Sequence, residues 1–211
     1  MLMARFSLGI VSSAFRPLGL TVPEMGDRAL ELGFEYIDLA PAESGYDGPL
    51  ALPVGDRFSL TPRPGWTTSA PRPPARRAQL VEAFRRAPGA RLEPTALGIL
   101  RSVAEVRAFA AEVPGLRLTL DTGHVAAWGD APCGLIDLAN RVQIRQARRG
   151  VAQVRAGEGE VDFAAFFEAL AGAGYQGGVS VEYFDLPDRD MPLDDPVGYA
   201  VELADHVRPL L

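Results

Sequence analysis

The chain contains no lysine; all 21 of its basic residues are arginine. A Schiff-base aldolase, a pyridoxal-phosphate enzyme and a lysine-bearing phosphate loop are therefore excluded, because each needs a primary amine at its centre. Cysteine is nearly absent as well. Cys133 stands alone, so neither an internal disulfide nor a cysteine-rich zinc site can form, and a reducing, cytoplasmic setting is expected. No stretch approaches the ~20 apolar residues of a membrane helix. The opening MLMARFSLGIVSS lacks the long apolar segment and cleavage site of a secretion signal, so neither a membrane partner nor targeting is expected. Positive charge is in deficit, 21 bases against 27 acids, which argues against a nucleic-acid partner, whose binding draws on neutralised phosphates.

What remains is the profile of one soluble domain spanning residues 1–211, with 47% hydrophobic and 23% charged residues. A chain of this size buries roughly 70% of the surface its unfolded form exposes and needs no covalent staples. Short apolar runs alternate with helical patterns, the rhythm of βα units with a mostly parallel sheet. Strands are expected at 5–11, 35–39, 50–54, 57–61, 91–95, 116–120, 142–146 and 179–183. Helices are expected at 22–32, 75–86, from Ser102 onward, 135–139, 163–171 and 196–207. Ser102 with Glu105 three residues later has the capping-box spacing. Residues 41–74 are crowded with proline and glycine, and helices there are expected to be trimmed.

Successive strand residues point to opposite faces, which sorts each strand into two sets. Ile37 and Leu39 alternate with Tyr36 and Asp38, Leu118 and Leu120 with Thr119 and Asp121, Ile144 with Gln143 and Arg145, and Val179 and Val181 with Ser180 and Glu182. One face is apolar and the other polar. An open parallel sheet covered by helices on both sides is apolar on both faces, whereas a closed barrel can hold polar groups inside. The parity therefore favours an α/β fold of the (β/α) TIM barrel type. With 211 residues against the ~250 usual for eight units, the barrel is expected to be shortened or imperfect in its first half. Apolar surface left by such a gap would suit a second subunit, which points to a homodimer.

An ionisable residue falls near the end of several strands: Asp38, Glu93, Asp121, Arg145 and Glu182. Strand ends converge at the catalytic rim of such barrels, so Glu93, Asp121 and Glu182 would face a common centre. Three carboxylates there need a cation, either a divalent metal or an arginine. Trp66 and Trp128 are candidates for the mouth. Gly157 and Gly159 in GEGEVD are expected to shape a turn by their backbone freedom.

From Glu93 onward the segments LEPTALGILRSVAEVRAFAAEV, LRLTLDTGHVAAWGD and GEGEVDFAAFFEALAGAGYQGGVSVEYF resemble the xylose isomerase-like TIM barrel family. That family comprises sugar phosphate isomerases and epimerases together with the family 2 AP endonucleases. The resemblance implies a divalent ion, manganese, magnesium or zinc, held by Glu93, Asp121 and Glu182. The family's third ligand in chain order, a strand histidine, has no counterpart, because VQIRQAR places Arg145 there. Only His124 and His206 occur, too few for the multi-zinc site of an endonuclease.

The resemblance further implies Glu93 and Glu182 as catalytic acid and base beside a carbonyl. His124, Arg145 and Arg155 would contact the substrate, a small sugar, sugar phosphate or related hydroxy-carbonyl compound. Two readings stand together. One is a sugar or sugar-phosphate isomerase or epimerase, with dehydratase and hydroxypyruvate isomerase chemistry as neighbours, and with a degenerate metal site or none if Arg145 replaces the ion. The other is a catalytically lapsed barrel that binds a small polyol or metabolite, or serves as an assembly subunit.

Overall fold

A computed structural model describes residues 6–57, 74–86, 89, 91–189 and 191–211. Seven strands form one parallel sheet: β1 (Leu8–Val11), β2 (Tyr36–Leu39), β3 (Val54–Arg57), β4 (Arg91–Leu92), β5 (Arg117–Asp121), β6 (Ala139–Ile144) and β7 (Val179–Val181). Their order in the sheet is β3-β2-β1-β7-β6-β5-β4. The first and last strands in sequence are thus adjacent, with Gly9 in register with Ser180. The two ends of the sheet are β3 and β4, which share no ladder among the described residues. In a flat sheet they would lie roughly 29 Å apart, at about 4.8 Å per strand spacing. Instead Arg91 on β4 forms an ion pair with Asp56 on β3, so the sheet curls round until its edges face each other. This is a TIM-type barrel with one open seam, and the seam falls in the expected first half.

Helices α1 (Val22–Glu31), α2 (Pro74–Arg85), α3 (Val103–Glu112), α4 (Thr122–Trp128), α5 (Phe163–Gly172) and α6 (Pro196–Val207) alternate with the strands. A 3-10 helix at Pro132–Leu138 leads into β6. Between β2 and β3 there is no helix, only turns and bends, as the Pro- and Gly-rich sequence implies. The helix ends follow local chemistry. The Ser102 hydroxyl accepts from the Glu105 N–H at 3.1 Å, a cap worth about 1 kcal/mol. The Glu105 carboxylate accepts from the Arg101 N–H at 2.6 Å. Among the described residues no helix is long and apolar enough to cross a membrane.

Several expected boundaries move. The strand expected at 50–54 is shifted to β3, Val54–Arg57, and residues 58–61 of the strand expected at 57–61 lie outside those described. The strand expected at 91–95 keeps only Arg91 and Leu92. The strand expected to begin at 142 begins at Ala139, because Asn140 and Arg141 carry no apolar signal although Arg141 is buried inside the barrel. Helix α4 is an addition to the sequence reading. Asp121 creates it, its carboxylate accepting from the Gly123 and His124 N–H groups at 2.7 and 3.3 Å.

The parity reading holds. Ile37, Leu39, Leu118, Leu120, Ile144, Val179 and Val181 belong to the apolar core beneath the helices. Asp38, Thr119, Asp121, Gln143, Arg145, Ser180 and Glu182 are buried polar groups. Inside the barrel Asp38 is ion-paired with Arg141. Ser180 Oγ donates to the same carboxylate, receives a bond from Arg141 at 2.7 Å and lies 3.0 Å from the Tyr36 hydroxyl. The Tyr36 ring is accommodated because Gly9, Gly55 and Gly178 surround it, and a Cβ at Gly9 would sit 2.1 Å from the ring.

Candidate active site

The second polar group gathers at the carboxyl ends of β4 to β7. Asp121 ends β5 and His124 follows it on α4, three residues on and facing the same way. Glu93 follows β4, Arg145 follows β6, and Glu182 follows β7. His124 Nε2 lies 3.6 Å from Glu93 Oε1 and 3.9 Å from Asp121 Oδ2. Arg145 Nη2 lies 2.7 Å from Asp121 Oδ2 and 2.8 Å from His124 Nε2. The structure thus brings together five of the six residues to which the resemblance gave a role; Arg155 is the sixth.

His124 Nδ1 accepts from the Ala96 N–H at 3.0 Å. Its Nε2 faces the Arg145 guanidinium at 2.8 Å and the Glu93 carboxylate at 3.6 Å. Burial raises the Glu182 carboxyl well above its ordinary range, reinforced by the charges of Glu93 and Asp121 and by a hydrogen bond to Asp121, against the opposing pull of Arg145. Asp121 moves the other way. Burial acts to raise it, but Arg145, His124, the bond from Glu182 and the Gly123 N–H together hold it below the usual carboxylate range. Of the two, Glu182 is therefore the carboxyl that holds its proton to higher pH. Two nitrogens of Arg145, Nε and Nη1, and Oε2 of Glu182 are buried and have no hydrogen-bond partner among the described residues. Glu93, with a third of its side chain exposed, forms the solvent side of the cluster.

Arg145 rather than Gln146 faces the centre. Gln146 points into the loop that follows, donating to the Ala156 and Val161 carbonyls and accepting from the Ala147 and Val161 N–H groups. Gly159 is required there because a Cβ would lie 2.2 Å from Gln146 Oε1. This is a close approach rather than the backbone freedom expected of GEGEVD, since neither Gly157 nor Gly159 adopts a positive φ. Arg155 lies apart from the cluster, half-exposed, paired with Glu202 of α6 at 2.6 Å and set over the Tyr199 ring. Trp128 packs partly buried against the core at the end of α4, and Trp66 lies outside the described residues.

Two supporting groups were missed in the sequence. Phe184 lies with its ring 4.6 Å from the Arg145 guanidinium carbon. Gln153 clasps the backbone of Phe184, donating to its carbonyl at 2.8 Å. Neither has a spacing signature, because their partners arrive from other strands.

Glu93, Asp121 and His124 offer ligand atoms that all lie within 4.8 Å of one another, the carboxylate and imidazole set that suits a divalent ion. The residues present do not fit one, however. The Arg145 guanidinium reaches two of the three donors and occupies the space between them with a fixed positive charge.

The xylose isomerase-like TIM barrel family matches the chain over residues 55–210, and the chain belongs to that family. No curated protein matches it. Solved structures do. A D-allulose 3-epimerase from Methylomonas sp. is 19% identical, covering 99% of this chain and 99% of its own, with a TM-score of 0.65. A 3-keto-D-glucoside 4-epimerase from E. coli is 18% identical over 97% of this chain and 100% of its own, with a TM-score of 0.65. An AP endonuclease of family 2 from Brucella melitensis is 16% identical over 97% and 99%, with a TM-score of 0.60. At these identities the likeness is one of fold, and this fold carries more than one chemistry.

Proposed function

We propose that this protein is a sugar or sugar-phosphate isomerase or epimerase that moves a proton at a carbon next to a carbonyl. The observation that carries this reading is the gathering of two glutamates in unlike settings beside Arg145: Glu182, buried and held well above the usual carboxylate range, and Glu93, which faces solvent, while two Arg145 nitrogens have no hydrogen-bond partner among the described residues. Acid–base chemistry on one carbon needs two such groups in opposite protonation states. Glu93 takes the proton from the carbon and leaves negative charge on the carbonyl oxygen. Arg145 donates hydrogen bonds to that oxygen, and charge of this kind is stabilised best by donors already in place. Glu182 returns its own proton to the carbon, from the opposite face for an epimerisation. His124, held in place by the Ala96 N–H, orients a substrate hydroxyl. The fold shared with two sugar epimerases supports the same substrate class.

The test is exchange with solvent deuterium. Wild-type protein is incubated in heavy water with D-allulose, D-fructose and their phosphates, and label at the carbon next to the carbonyl is read by mass spectrometry. Label is expected in at least one sugar, with Glu182→Gln lowering its rate ~10²–10⁴-fold. No label in any of them would overturn the reading.

A lapsed barrel that binds a polyol is the second reading, favoured by one observation. Arg145 is wholly enclosed and ion-paired with Asp121, as in a site kept only for stability. Heat released on titration with ketoses and polyols, without any exchange, would support it.

A further inference from the structure

We infer that Arg145 is the resident cation of this site and that its guanidinium keeps a divalent ion out of the Glu93, Asp121 and His124 cluster. The cluster is a latent metal site, opened by removing one side chain. This deepens the reading above, in which Arg145 is the electrophile, but it concerns binding and can fail independently of it.

The placement of Arg145 is built in at every part of the residue. Its backbone N–H donates to Thr122 Oγ1 at 3.1 Å, and the same hydroxyl donates to its carbonyl at 2.9 Å. Its side chain lies against Gly123, where a Cβ would fall 2.3 Å from Nε and 2.4 Å from Cγ. The Thr-Gly-His run after Asp121 therefore fixes the arginine from the neighbouring strand end, and the lack of a side chain at 123 is what admits it. Phe184 covers the guanidinium, and Gln153 holds Phe184 by its backbone. No part of Arg145 is exposed, so it has no solvent-facing position to swing into when an ion arrives.

Charge points to the same conclusion. A guanidinium cannot give up its proton to make room for a second cation, as an ammonium group can. Asp121 is already paired to Arg145 at 2.7 Å, and Glu93 is the cluster's carboxylate on the solvent side. An entering dication would gain one exposed carboxylate and meet a fixed like charge within bonding reach of its own ligands, where repulsion is strong. Without Arg145, the same three donors are close enough to share an ion and have no cation among them.

The experiment compares Mn²⁺ binding to wild type, Arg145→His and Arg145→Gln, by equilibrium dialysis with elemental mass spectrometry and by the Mn²⁺-induced rise in melting temperature. Circular dichroism reports folding with and without the ion. Wild type is expected to keep no ion after dialysis. Arg145→His is expected to hold about one equivalent, at least ~10-fold more tightly than wild type, with a rise in melting temperature. Adding Glu93→Gln to Arg145→His should abolish the gain and so locate it. Near-stoichiometric Mn²⁺ on wild type would overturn the inference. So would the absence of Mn²⁺-dependent binding or refolding in both Arg145 variants, since the arginine would then not be what excludes the metal. Deuterium exchange by metal-free wild type is scored separately, and its absence would sink the isomerase reading while leaving the exclusion of metal intact.

Discussion

The barrel interior holds two arginine–aspartate pairs. In the first, Arg141 and Asp38 are joined by Ser180 and Tyr36. In the second, Arg145 and Asp121 are joined by His124, Glu182 and Glu93. The first has one carboxylate for one guanidinium and is enclosed by glycines that admit the Tyr36 ring. The second has three carboxylates for one guanidinium and an opening at Glu93. A balanced buried pair can only be broken, whereas an unbalanced one forces a carboxyl to hold a proton, and a held proton can be delivered. The difference explains why one group stabilises the fold and the other is the candidate for chemistry.

The sharpest way to break the comparison is to neutralise one carboxyl in each group. Glu182→Gln should lower solvent exchange ~10²–10⁴-fold with little change in urea stability at about pH 4.5, where the amide imitates the protonated acid. Asp38→Asn should do the reverse. It leaves Arg141 buried without a counter-charge, which costs about 3–5 kcal/mol in a denaturant melt, while exchange by the remaining folded protein stays within about threefold, the scatter expected of context. If the two variants behaved alike, the two groups would not be separate in role.

The pH dependence of stability sharpens the same contrast. Glu182 holds its proton in the fold more tightly than in the unfolded chain. Its contribution is therefore present below the ordinary carboxylate value of 4.5 and is lost as the pH rises through its folded value. Asp121, held low, contributes above its ordinary 3.8 and loses that contribution as the pH falls through its folded value. Urea midpoints followed upward from about pH 4.5 should decline for wild type and flatten in Glu182→Gln; a decline of equal slope in both would remove Glu182 as its source. The smallest expected effect is that of Ser180→Ala. It removes one hydroxyl from the balanced group and should cost about 1–3 kcal/mol with no change in exchange.

The alternation of apolar and polar residues in β2, β5, β6 and β7 was legible because only a barrel needs a polar face inside. It placed Glu93, Asp121, Arg145 and Glu182 at one rim, and the motif after Asp121 added His124. Arg141 was not legible, since it precedes the first apolar residue of its strand, although Arg141, Gln143 and Arg145 share a parity. The pairing of Arg141 with Asp38 joins residues 103 apart, and no local pattern encodes it. The partner of Arg155 was equally illegible, since Glu202 comes from the last helix.

Fold class, the polar barrel interior and the identity of the rim carboxylates follow from residue order alone, because strand periodicity is a local property of the chain. Which carboxylate keeps its proton, why residue 123 must be glycine, and whether a cation from the solvent has room beside Asp121 were decided by tertiary structure. Each depends on the distance between strand ends far apart in sequence, and electrostatic and steric energies are set by that distance.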